Sequence, residues 1–279
     1  MRGSSVRVLD DRDVAAALDI LAQDPIANVF VQSRVETSGV DPWRLGAELW
    51  GHVIGDRIVA LCYAGANLVP VCADRVAIDA FADRARRHGR RCSSIVGPRE
   101  MVAPLWERLE PSWGGARDVR ASQPLMVTTR RSTIEPDPGV RRVLASELDV
   151  LMPASIAMFT EEVGISPVAA DGGGLYRSRV SELVHAGRSF ARIENGRVLF
   201  KAEVGAVTRT ACQVQGVWVD PAYRGQRLSI AGMAAVVDEC LRSIAPAVSL
   251  YVNDYNLAAR RSYERVGFET VGAFMSVLF

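Results

Sequence analysis

The sequence predicts an α/β (α+β) protein built in two units, each a mixed, largely antiparallel sheet flanked by helices. Three observations carry that expectation. Valine-rich, strand-like runs alternate along the 279 residues with segments whose apolar residues recur at helical spacing. A charged stretch with two prolines and a glycine at 129–139 (T-R-R-S-T-I-E-P-D-P-G) interrupts that alternation near the middle of the chain. The halves on either side of it repeat one plan, which places the units at 1–130 and 139–279.

The elements justify themselves in order. Val6 to Leu9 reads as a strand and Asp11 to Leu21 as a helix. Ala47–Ile54 and Ile58–Gly65 form a hairpin around Gly55-Asp56, helices near Ile78–His88 and Arg99–Leu109 follow, and Ser94–Arg99 reads as a strand-to-helix turn. Beyond the break, Val140–Leu144 is a strand, and Ser146 is placed to cap a helix running through Met158. Ser189–Asn195 and Val198–Val207 form a hairpin around Asn195-Gly196, the Asn-Gly pair being a strong turn signal. Val214–Val219 is a strand ended by Asp220-Pro221, and Ile230–Cys240 is a helix. A last strand, Val248–Val252, precedes a helix at Leu257–Val266 with Asn256 at its N-cap and Gly267 as its stop.

Composition narrows the function. A hydrophobic fraction of 49% is ample for compact cores, and no apolar run reaches the roughly 18 residues of a membrane span. No signal-peptide core stands at Met1–Val6, so a cytoplasmic location is expected, with no membrane partner. A net charge of +1 and scattered basic residues give no reason to expect nucleic acid. Five cysteines without C-x-x-C spacing and three dispersed histidines indicate neither a disulfide framework nor a metal site. Lys201 is the sole lysine among 33 basic residues, an arginine bias that leads one to expect a GC-rich bacterial genome.

The most informative stretch is Gln213–Ser229, Q-V-Q-G-V-W-V-D-P-A-Y-R-G-Q-R-L-S. It sets a strand against a basic, glycine-containing turn that opens a helix. The first amides of a helix have no internal partners, and the helix dipole adds positive potential there. A pyrophosphate can therefore sit on backbone N–H groups with Arg224 beside it.

Downstream stands V-x-x-x-N-x-x-A-x-x-x-Y-x-x-x-G-F, carried by Val252, Asn256, Ala259, Tyr263, Gly267 and Phe268. With the Arg224 turn it resembles the GNAT acetyltransferase superfamily, whose acetyl-CoA motif is Arg/Gln-x-x-Gly-x-Gly/Ala followed by that second pattern. The resemblance is specific from about Arg197 to the C-terminus, roughly a third of the chain. The whole chain is similar to tandem-GNAT proteins of actinobacteria, with a degenerate first half that lacks the cofactor loop and shapes an acceptor cleft. A second reading makes the first half an unrelated α/β domain that shields the sheet or supports a homodimer. The loop departs from the family at two places: Arg227 stands at its central glycine and Ser229 at its final Gly/Ala.

The resemblance implies acetyl-CoA as co-substrate, no metal, and direct transfer of acetyl to an amine. It assigns the pantetheine arm and thioester carbonyl to the backbone of Val217, Trp218 and Val219, with Gly216 as a bulge that splays the strand. The pyrophosphate falls to Arg224, Gly225, Gln226, Arg227, Leu228, Ser229 and Ile230, and Asn256 to the pantetheine or phosphate region. Tyr263 occupies the position that protonates the departing sulfur. Some members carry a glutamate base at the position of Gln213, which cannot accept a proton, so Glu203 on the neighbouring strand becomes the candidate, its alternative being an ion pair with Lys201. Glu161 and Glu162, placed just after the Met158 helix, are candidates for holding a cationic acceptor, either a small-molecule amine or a protein N-terminus or lysine. Asp171–Gly174 reads as a flexible loop, either one that closes over the acceptor or a plain linker. Against the enzyme stands a non-catalytic acyl-CoA-binding or regulatory module, favoured by Arg227 and Gln213.

Overall fold

The computed structural model describes residues 4–169 and 172–279; Asp171 of the expected glycine loop lies outside them. The chain divides into two units, 1–126 with 251–255 and 270–279, and 127–250 with 256–269. A single cut near residue 130 does not reproduce this division. The C-terminal strand pairs antiparallel with 94–98 and buries Met275 and Val277 in the core of the first unit.

Unit 1 runs β1 (Ser4–Val8), α1 (Val14–Leu21), α2 (Val29–Ser38), a short α3 (Pro42–Leu45), β2 (Glu48–Ile54), β3 (Arg57–Ala64), β4 (Asn67–Val71), α4 (Arg75–His88), β5 (Ser94–Pro98), α5 (Arg99–Trp113) and β6 (Asp118–Thr128). Unit 2 runs β7 (Val140–Arg142), α6 (Leu148–Val163), α7 (Gly174–His185), β8 (Ser189–Glu194), β9 (Arg197–Val207), β10 (Cys212–Val219), α8 (Leu228–Ser243), β11 (Val248–Tyr251) and α9 (Leu257–Val266), and the chain closes with β12 (Glu269–Leu278). Apart from α3, the two series follow the same order. The sheets are mixed: antiparallel hairpins β1-β2-β3-β4 and β7-β8-β9-β10 each hand over to one parallel neighbour, β5 and β11.

Sequence signals missed α2, the short α3, β4, β6, α7 and β12. Strand β4 carries Pro70, and β6 has Pro124 and interspersed polar residues, so neither shows a clean period of two. One cap is corrected. Ser146 lies inside a 3-10 turn, Ala145–Glu147, and Glu147 instead accepts the Leu144 N–H at 2.9 Å while bonding Arg141. Helix α6 continues five residues past Met158 to Val163, so Glu161 and Glu162 sit on its last turn rather than after it.

Each face is covered by its own core. In unit 1, Phe81, Ile78, Leu105 and Leu109 of α4 and α5 pack with Ile95, whereas Leu21, Val31 and Val35 of α1 and α2 pack with Leu49 and Leu61 on another cluster. In unit 2, Leu151, Met158, Val180 and Val184 of α6 and α7 close over Ala191, Val198 and Trp218. The β8–β9 turn places both Asn195 (φ 50°) and Gly196 (φ 73°) in the left-handed region that a tight Asn-Gly hairpin requires.

Candidate active site

The site begins with a strand that leaves its neighbour. The parallel ladder from β10 to β11 holds only Cys212↔Val248 and Gln213↔Ser249, while β10 runs on to Val219. On its other side, the register with β9 slips between Gln215↔Glu203 and Trp218↔Lys201, so Gly216 and Val217 together face one residue of β9. Gly216 has φ +59°, and a Cβ there would lie 3.0 Å from Met158 Cε and 3.1 Å from Glu203 Cδ. Only glycine fits this bulge, and an earlier register shift against β9, between Gln213 and Val214, falls where the ladder with β11 ends.

Past the bulge the chain is pinned. Asp220 accepts the Ala222 N–H and is held by Arg197, whose Nη2 donates at 2.9 Å; this guanidinium keeps the carboxyl below the ordinary aspartate range. Gly225 follows at φ +78° with open space where a Cβ would stand. Arg227 then takes φ 64°, ψ 14° as the N-cap of α8. The side chain at the family's glycine position thus adopts the left-handed backbone that glycine adopts freely, at a cost of about 1–2 kcal/mol. It is exposed, and its side chain makes no capping hydrogen bond to the first turn of α8. Ser229, in that turn, shares a 3.1 Å hydrogen bond with Ser262 of α9.

Helix α9 is built as its sequence implies. Asn256 Oδ1 accepts the Ala259 N–H at 3.2 Å, and Gly267 ends the helix at φ 112°. Tyr263 is buried on the inner face, with its ring edge-on to Phe268 at 6.0 Å. Burial, then the Glu162 carboxylate, raise its hydroxyl pKa above the ordinary tyrosine value.

The predicted base and acceptor residues have partners of their own. Glu203, 6% exposed, accepts Lys201 Nζ at 3.2 Å and Gln215 Nε2 at 3.1 Å, and Lys201, with no exposed surface, also donates to Gly216 O at 3.0 Å. Glu161 accepts Trp218 Nε1 at 3.2 Å and pairs with Arg224 at 2.7 Å; Arg224 Nε also donates to Val219 O. Glu162 is exposed at the end of α6.

Tyr176 was not anticipated. Its hydroxyl donates to Ser155 O at 2.8 Å, and burial followed by the charges of Glu203 and Glu162 raises its pKa. Sequence offered one usable signal for this cluster, Lys201, the sole lysine of the chain, two residues from Glu203 on a largely apolar strand. The Glu162 carboxylate contributes to the raised pKa of both Tyr176 and Tyr263. Among the described residues, no cluster of three or more His, Cys, Asp or Glu could hold a metal ion.

Unit 1 shows what the corresponding junction looks like without a loop. Its β4–β5 ladder also holds two pairs, Asn67↔Ser94 and Leu68↔Ile95. There, Cys72–Asp74 is all that separates β4 from α4, against Asp220–Arg227 in unit 2. Asp74 accepts the Ala77 N–H at 2.9 Å, and the Ala73 N–H meets Met101 Sδ. A carboxylate therefore stands at the helix N-terminus where an anionic ligand would be placed.

A parallel strand pair that opens onto an uncapped helix N-terminus defines an α/β unit suited to anionic, nucleotide-like ligands. Residues 169–268 match the profile of the acetyltransferase (GNAT) family. Residues 47–151 match a domain of unknown function, DUF4081. Several solved structures share the fold over nearly the full length. A GCN5-related N-acetyltransferase from Sphaerobacter thermophilus is 16% identical, with a TM-score of 0.62 over 98% of this chain and 94% of its own. A GNAT-family acetyltransferase from Colwellia psychrerythraea is 10% identical, with a TM-score of 0.60 over 99% of both chains. A tandem GNAT protein from the clavulanic acid biosynthesis pathway is 14% identical, with a TM-score of 0.56 over 99% and 98%. No curated protein matches in sequence.

Proposed function

We propose that the chain is an acetyl-CoA-dependent N-acetyltransferase whose C-terminal unit carries the chemistry. The observation that supports this most is the bulge at Gly216, in the part of β10 that runs on beyond its two-pair ladder with β11 towards the turn that opens α8. The residues fit the co-substrate. Open space at Gly225, an exposed Arg227 and the free first turn of α8 suit a pyrophosphate, and the backbone of Val217–Val219, freed from β11, suits the amide-bearing pantetheine arm. Arg224 would exchange Glu161 for phosphate oxygens.

In the reaction, the acceptor nitrogen attacks the thioester carbonyl, a C–N bond forms, the C–S bond breaks, and a nitrogen proton is lost. Tyr263, kept protonated by its buried setting, donates its hydroxyl proton to the departing sulfur and recovers one from solvent. Glu203 is tied to Lys201 and Gln215, so it takes the amine proton only through water at the bulge. Glu162, and Glu161 once Arg224 leaves it, supply the negative rim for a cationic acceptor, a small-molecule amine or a protein N-terminus or lysine.

The same engagement of Glu203 favours a second reading, a GNAT-like module that binds acyl-CoA without turnover. Calorimetric titration with acetyl-CoA and CoA comes first. Micromolar binding followed by acetylation in an amine screen supports the enzyme, binding without turnover supports the module, and no binding rejects both.

A further inference from the structure

We propose that unit 1 binds a small molecule with an apolar, planar body and one anionic group. The site is a cavity of about 330 Å³ near the start of β4 and β5, where Leu68 and Cys92 face the last turn of α4. In open α/β sheets, ligands gather at the carboxyl ends of the strands. That end of unit 1 has Asp74 on the Ala77 amide of α4 and Met101 against the Ala73 amide just before it, so the cavity is not a remnant of a cofactor crevice.

Small residues leave the space: Ala47, Ala64, Gly65 and Ala85 line it. Two indoles also line it. Trp50 is fixed by the Arg84 guanidinium 5.0 Å above its ring and by its own N–H to Glu48 Oε2 at 2.6 Å. Trp113 packs edge-on to Phe279 at 5.9 Å, and its enclosed N–H has no acceptor among the described residues. Such a pair suits a flat ring system, and the volume stands at the lower end of the roughly 300–1,000 Å³ of small-ligand sites.

The charges at the cavity are unequal. Glu48 is engaged by Trp50 and Arg84, which hold its carboxyl below the ordinary range. His88 spends Nδ1 on Arg84 O, which leaves Nε2. Arg91 is exposed, lines the cavity and makes no hydrogen bond or ion pair among the described residues. A carboxylate or sulfonate would gain the Arg91 fork while its ring is buried against indole.

The test titrates the full chain with 2-naphthoate, read by tryptophan fluorescence and calorimetry, with neutral 2-naphthamide as the isosteric control. Saturable one-to-one binding is expected, weakened about tenfold or more in 2-naphthamide and in Arg91→Ala, the loss of one charge-assisted contact. Ala64→Phe, a strand position that tolerates an aromatic side chain, should abolish binding by filling the cavity. CoA binding should be unchanged in both variants, which separates this site from the transferase reading. Absence of saturable binding, equal binding of the two probes, or binding indifferent to Arg91→Ala overturns the proposal, and so does binding retained in a folded Ala64→Phe protein.

Discussion

Arg227 shows how one residue can depart from a pattern and keep its geometry. The position requires a left-handed backbone, which glycine supplies without cost and arginine supplies under strain. Arg227→Gly is expected to raise the urea midpoint by the equivalent of about 0.5–1 kcal/mol, the relieved strain less the added freedom of the unfolded chain, with an unchanged m-value. Lys201 and Glu203 form the opposite case, a buried pair that is costly to break. Lys201→Met should destabilise by about 3–5 kcal/mol because it strands a buried carboxylate, whereas Lys201→Met combined with Glu203→Leu should recover most of the loss in chemical denaturation. Tyr263→Phe should lower kcat by about 10²–10⁴-fold with CoA affinity retained. Because burial raises the Tyr263 pKa, its proton stays in place through the ordinary tyrosine range. A loss of kcat that titrates below about pH 9 and persists in Tyr263→Phe would belong to another group.

At the scale of elements, the site depends on how β10 and α6 are held. Gly216→Ala would force a side chain into a positive-φ position already crowded by Met158 and Glu203. Its expected cost is about 1–3 kcal/mol, and weaker CoA binding in calorimetry should accompany it as the bulge in β10 relaxes. The start of α6 carries a pH signature. Arg141 and the Leu144 N–H hold the Glu147 carboxyl at about 2, below its unfolded value. A depressed folded pKa contributes stability that is fully present above the unfolded value and fades as pH falls towards about 2. The melting-temperature difference between the protein and Glu147→Gln should therefore be constant at neutral pH and shrink across that acid window. No helix among the described residues is long and apolar enough to cross a membrane.

For the whole molecule, the decisive fact is that β12 belongs to unit 1 although it ends the chain. Residues 1–130 expressed alone would lack Met275 and Val277 and leave the β5 edge unpaired. That fragment should show no cooperative thermal transition in circular dichroism, and a sharp transition would show that the strand is dispensable. Local chemistry was legible in the sequence wherever neighbours in the chain decide the outcome. The Asn195-Gly196 turn, the Asn256 cap, the Gly267 stop and the Gly216 bulge follow from backbone preferences and side chains within a few residues of each other. The GNAT likeness of residues 169–268 was legible for the same reason, because its motif is contiguous. Only the tertiary structure decided that Glu203 is bound to Lys201 and Gln215, that Glu161 holds Arg224, that the Tyr176 hydroxyl bonds Ser155 O, and that the last strand completes the first unit. Those outcomes depend on which charges and strand edges meet across long stretches of chain, where burial and pairing rather than local propensity set the free energy.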